Sequence, residues 1–270
     1  TAGRIFVGSA NTHLDAGQLA KITFTGYVGA MLLATGELVP VSIPTTYTWD
    51  GSASSDWATG ANWDLGTVPL STDHVVIPTA ASYTNALIIT GARTVTDFTV
   101  NGTGTYSMAA AASLTVNGTF NYASSVAATY NCASTLTIAS TASQTIPAAN
   151  YGNLDLTGGN RTLASSGTIG ICGTFTRGAG TYTITGSTVD YNGSGAQTIA
   201  AGTYNNLTIS NARSAANLTS PAGTIAVAGT FDISTLSAYT PVVNAASIFD
   251  FTSAGAQSIP AFFYGQLNNT

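Results

Sequence analysis

The stretch "AQTIAAGTYNNLTIS", residues 196–210, decides the fold, because the chain writes it three times. "SQTIPAANYGNLDLT" stands at 143–157 and "AQSIPAFFYGQLNNT" at 256–270. Gln144, Gln197 and Gln257 therefore recur at similar intervals, and Tyr151, Tyr204 and Tyr264 recur at the same ones. Two further elements recur in the same order. Gly-Thr-Phe begins at 118, 173 and 229, and "STLTIAS" from Ser134 aligns with "STVDYNG" from Ser187 and "SIFDFTS" from Ser247. A period of about 55 residues marks a repeat architecture.

Within that period lie alternating pairs suited to strands with one buried face: Phe98/Val100, Leu114/Val116, Leu136/Ile138, Leu154/Leu156, Ile169/Ile171, Val189/Tyr191, Leu207/Ile209, Ile225/Val227 and Phe249/Phe251, with Leu267 opening a tenth. Gly, Asn and Ser punctuate them as turns, and helix signals are nearly absent. The pairs recur about every 20 residues, a spacing that suits one such strand per turn of a coil. The unit is too short for an immunoglobulin-like sandwich of ~100 residues, and too few units are present to close a propeller. The expected fold is all-β: a right-handed parallel β-helix, or β-solenoid, in which each coil buries its inward residues against the next. Each unit of about 55 residues is expected to hold three coils. Residues 1–46 fall outside the repeat as a strand-prone cap or donor segment, 47–90 form a Trp-rich capping coil, and 91–270 are the repeats, the last incomplete.

Composition narrows the function. Charged residues make up 6% of 270, the net charge is −5 and the mean hydropathy is +0.26. Six basic residues scattered singly form no patch for phosphates, so nucleic acid is not an expected partner. The longest apolar stretch, "YVGAMLLA", is too short to span a bilayer. The chain opens at Thr1 with no basic-then-apolar leader, so any export signal is expected to have been removed or to lie outside this sequence. Cys132 and Cys172 pair in an oxidising compartment or remain buried thiols; their spacing does not decide.

Catalysis is not expected. Asp190 and Asp250 take equivalent places in successive units, roughly 14 Å apart at three stacked coils, too far for the paired carboxyls of a glycosidase. His13 and His74 lack partners at metal-ligand spacing, and no cofactor is implied. A polysaccharide-active β-helix is the minor reading. Gln144, Gln197 and Gln257, with Tyr151, Tyr204 and Tyr264, read as structural residues that satisfy backbone groups where the chain bends. Trp49, Trp57 and Trp63, with Asp56 nearby, read either as the cover of the first coil or as stacking platforms and an acceptor for a glycan.

The run Trp49-Asp50-Gly51, Trp57, Asn62-Trp63, Gly66, Pro69, Asp73 and Val75 to Pro78, followed by "GAQTI" and "YxNLxIS" units, resembles the secreted, repeat-rich surface proteins of Bacteroidetes-type bacteria, and more loosely autotransporter passenger β-helices. The resemblance covers roughly residues 47–270. It implies an extracellular or cell-surface location and a role as adhesin, stalk or fibre, and it brings no catalytic residues with it. Up to Asn269-Thr270 the sequence shows no sorting or barrel domain, so the resemblance does not carry over attachment through one. The third unit stops after one strand of its closing coil, and the strand-prone apolar segment 17–44, with Leu19, Ile22 and Phe24, is a candidate donor. Together with Leu267 these residues suggest a homopolymer joined head to tail. The partner is then a second copy of the chain, or surface and matrix glycans in the alternative reading.

Overall fold

Side chains on a strand alternate between two faces, so a Leu-x-Ile pair places two apolar groups on one side and a polar residue on the other. The computed structural model describes residues 4–25 and 27–270, and in it this alternation builds a stack of parallel strands. Two compact units are present, Thr1–Thr46 and Tyr47–Thr270. Residues 1–3 and Gly26 of the expected N-terminal segment lie outside the described residues.

The first unit is a small antiparallel sheet in the order β1 (Ile5–Phe6), β3 (Glu37–Ser42), β2 (Tyr27–Leu32), with one short helix, α1 (Ala16–Leu19). Asp15 caps α1 and Gln18 reciprocates, a capping box that stops this stretch from extending. Leu19 is thus helical, and Ile22 and Phe24 lie outside any strand, which corrects the expectation for these three residues, while the rest of segment 17–44 does hold strands β2 and β3.

The second unit is a parallel β-solenoid of about nine turns with almost no helix. Its opening strand, β4 (Thr46–Thr48), lies beside the first full coil, β5 (His74–Ile77), β6 (Leu87–Ile89) and β7 (Ala92–Val95). The next two coils are β8 (Asp97–Val100), β9 (Tyr106–Met108), β10 (Ser113–Val116), then β11 (Phe120–Tyr122), β12 (Thr129–Tyr130), β13 (Thr135–Ile138). Three more follow: β14 (Gln144–Ile146), β15 (Asn150–Tyr151), β16 (Asn153–Leu156); β17 (Arg161–Leu163), β18 (Thr168–Ile171), β19 (Phe175–Arg177); β20 (Tyr182–Thr183), β21 (Thr188–Tyr191), β22 (Gln197–Thr198). The last are β23 (Gly202–Tyr204), β24 (Asn206–Ile209), β25 (Asn217–Ser220), then β26 (Gly223–Val227), β27 (Phe231–Asp232), β28 (Thr240–Val243), then β29 (Ser247–Phe251) and β30 (Gln266–Asn269).

Between β5 and β29 each paired strand meets the one three places later, as β10 does β13 and β13 does β16, so a coil has three faces. Coil length varies: Gln144 pairs with Arg161 and Leu207 with Phe231, the second circuit taking the longer path along the chain. The nine inward pairs are buried, whereas Leu267 is 48% exposed.

The repeat and the coil do not coincide. Gln144 opens β14 and Gln197 opens β22, eight strands later, and Gly-Thr-Phe leads into β11, β19 and β27, again eight apart. Eight strands at three to a coil make two and two-thirds coils, not the three expected. Each unit therefore starts one face further round. The long ladders show it: β7-β10-β13-β16-β19, then β15-β18-β21-β24-β27, then β23-β26-β29-β30. The inward pairs from Leu114 to Leu156 stack on one face, those from Ile169 to Ile209 on the second and those from Ile225 to Leu267 on the third. Asp190 on β21 and Asp250 on β29 consequently lie on different faces, not above one another.

Cys132 and Cys172 are joined, with Cα atoms 5.2 Å apart. Both sit at the corner after the second strand of a coil, in the coils before and after the one whose corner is Gly152. That corner is recessed: a Cβ on Gly152 would stand 2.2 Å from the carbonyl of Asn131, so only glycine lets the flanking corners close over it.

Candidate functional site

The Trp-rich segment underlies the first full coil. Trp49, Trp57 and Trp63 are 0 to 1% exposed and pack edge to face, Trp63 lying 5.0 Å from Trp49 and 4.9 Å from Trp57 between centroids. Trp57 stacks on Phe98, and Phe98 on Phe120, so the cover continues into an aromatic column through the core. The indole N–H of Trp49 donates to Asn85 O and that of Trp63 to Trp57 O. Buried Asn62 holds the loop over them by accepting from the N–H groups of Ala53 and Ser54. Ring faces fixed in this way cannot stack on a sugar, which removes the three Trp as a glycan platform. Asp56 is exposed, but its carboxylate accepts from the N–H of Ala58 in its own turn.

The repeated Tyr and Gln close turns. The hydroxyls of Tyr151, Tyr204 and Tyr264 donate to Pro147 O, Ala200 O and Pro260 O, closing the same loop at 2.8, 2.6 and 2.6 Å. Burial pushes the Tyr151 and Tyr204 phenols up, and that of Tyr264 to about 12. Each Gln carries its amide to the preceding coil: Gln144 to Gly118 O, Gln197 to Ile171 O and Gly173 O, and Gln257 to Val227 O and Gly229 O. Among the described residues the backbone ladder is interrupted at these three places, so that β11, β19 and β27 each end a sheet. The interruptions open into clefts of about 500, 220 and 290 Å³.

Two sets of functional side chains escaped the sequence reading. Arg161 and Arg213, 1% and 0% exposed, donate to carbonyls of the turn that follows β13 or β21. Arg161 reaches the carbonyls of Ile138, Ser140, Ala142, Thr157 and Asn160. Arg213 reaches those of Tyr191, Gly195 and Ser210, and Gln197 Oε1. Burial lowers the pKa of both guanidinium groups. Their separation by about one repeat was the available signal. Asp97, Asn153 and Asn206, each opening a strand of the form Asp/Asn-Phe/Leu, accept from the N–H of Thr119, Thr174 and Thr230 and thereby hold each Gly-Thr-Phe corner.

The carboxylates do not converge. Asp190 accepts from Ser210 Oγ at 2.9 Å and burial raises its pKa, while both oxygens of Asp250 accept from Thr270. His74 pairs with Asp97 at 2.6 Å. Among the described residues no three His, Cys, Asp or Glu stand close enough to hold a metal ion, and no helix is long and apolar enough to cross a membrane.

Residues 48–167, from the Trp corner through β17, match the model of a family described as a domain of unknown function (DUF8693). No curated protein and no solved structure matches the chain.

Proposed function

We propose that the chain is a non-enzymatic structural module of an extracellular, cell-surface fibre, whose copies join head to tail through the exposed edge of the solenoid. The observation that carries this reading is the stack itself: its parallel coils pair strand on strand in open ladders and, unlike a barrel, need no closure, so each coil is a template for the next. Strand β2 is the longer outer strand of the N-terminal sheet and offers an edge for such pairing with another copy. A head-to-tail contact of two different surfaces does not close and extends into a filament. Three considerations support it: the Cys132–Cys172 bond suits an oxidising compartment, the repeated Gln and Tyr and the buried Arg side chains bridge backbone, and the repeat units carry the expected resemblance to bacterial surface proteins. Negative-stain micrographs and light scattering across a concentration series test it. Threads that shorten in Leu267→Lys support the reading; monomers at every concentration overturn it.

A further inference from the structure

The break at Gln144 differs from the other two in size and in what the amide does. On the near bank, β11 uses Thr119 O and Ala123 N–H to pair with β8, since Phe98 N–H donates to Thr119 O and Ala123 N–H to Val100 O. Alternation along the strand then turns the N–H and C=O of Phe120 and Tyr122 the other way, into the gap. On the far bank Gln144 N–H donates to Asn160 O and Ile146 O accepts from Ala164, so Thr145 turns its own N–H and C=O into the gap from the opposite side. Among the described residues no backbone ladder joins these two edges.

In a parallel ladder one residue donates to the carbonyl of residue j−1 and accepts from the N–H of j+1 on its neighbour. The Gln144 carboxamide makes this pattern across the gap, donating to Gly118 O and accepting from Phe120 N–H at 2.8 Å. It stands where one residue of an additional strand would stand, and beyond it the gap continues past Tyr122 and Thr145 as a cleft of about 500 Å³. That volume falls within the ~300 to 1,000 Å³ of ligand clefts. At the equivalent break Arg213 donates to Gln197 Oε1, and the cleft is about 220 Å³. We infer that the cleft between β11 and β14 binds an extended peptide as an inserted parallel strand, its amides continuing the row that the Gln144 side chain begins. Backbone groups on both banks select a peptide: a saccharide offers hydroxyls but not the alternating donors and acceptors of a strand.

The site is independent of the fibre edge, so the two readings fail separately. The test uses the full chain with a soluble heptapeptide of alternating Thr and Val flanked by lysines, the same peptide N-methylated at alternate amides, and a chitin oligosaccharide. Amide exchange is read by NMR. Binding is expected to slow exchange at Tyr122 and Thr145 by ~tenfold when the peptide is at ten times its Kd, with no effect from the N-methylated peptide. Thr145→Pro removes one donor that faces the gap and no ladder bond, and is expected to abolish the protection while leaving the thermal midpoint within a few degrees. If that variant does not fold, the N-methylated peptide decides. Equal protection by both peptides, protection by the saccharide alone, or none at millimolar peptide overturns the inference.

Discussion

The unit from about Ser134, which holds Gln144, and the unit from about Ser187, which holds Gln197, repeat one pattern, yet they are held by different means. In the first, a disulfide closes the corners over Gly152, and Arg161 satisfies five carbonyls by itself. In the second no cysteine is present; Arg213 divides its bonds between carbonyls and Gln197, and the Tyr191 and Tyr204 hydroxyls meet at 2.8 Å in the core. Aligned on Ser134 and Ser187, the first unit has Thr137 where the second has Asp190. Repeated residues thus set which strand follows which, and unrepeated residues set how firmly each corner is held.

Substituting the two arginines separates these contributions most sharply. Arg161→Ala leaves buried carbonyls without donors and a cavity, and is expected to cost about 3 to 5 kcal/mol. Arg213→Ala is expected to cost less, because fewer carbonyls lose a donor. Urea midpoints measure both, and equal losses would break the contrast between units.

Removal of the disulfide comes next. Cys132→Ser with Cys172→Ser opens the loop that the bond closes across a separation of 40, and is expected to lower stability by about 2 to 4 kcal/mol. Hydrogen exchange should quicken around Gly152 and stay unchanged around Asn205, its counterpart. Uniform quickening would mean that the units do not differ in their locks.

The tyrosines supply a pH dependence. Burial raises the phenol pKa values of Tyr151, Tyr191 and Tyr204 above the ordinary 10.0. The folded state therefore holds protons that the unfolded state releases, so their contribution is complete below pH ~10 and declines as pH rises beyond it. Tyr151→Phe and Tyr204→Phe are each expected to cost about 1 kcal/mol at neutral pH and to flatten the alkaline decline, which denaturation at pH 8 and at pH 11 would register.

Asp190→Thr, which copies Thr137 of the first unit, should have the smallest effect. The raised pKa of Asp190, due first to burial, means that ionisation opposes folding at neutral pH. The carboxylate is partly solvated and bonded to Ser210, so replacement should gain only about 0.5 kcal/mol, and the gain should vanish below the ordinary aspartate pKa. A loss at neutral pH would show that the Ser210 bond outweighs desolvation.

The sequence by itself determined the solenoid, the aliphatic stack and the repeated Gln-Tyr turn, because inward alternation and turn residues are local properties that recur wherever a strand is written. Lone residues were less legible: Arg161 and Arg213 read only as two of six basic residues scattered singly, since burial of a guanidinium depends on carbonyls that converge from neighbouring coils. The Trp cluster permitted two readings for the same reason, as an indole that covers a core and one that meets a sugar look alike in one dimension. Only the tertiary structure decided that eight strands fill two and two-thirds coils. A sequence counts strands, whereas the number needed to complete a circuit is set by how sharply the chain turns at its corners and by which backbone groups then find partners. That mismatch sends each unit to a new face and leaves a break in the ladder, with a Gln amide in the place of the missing strand.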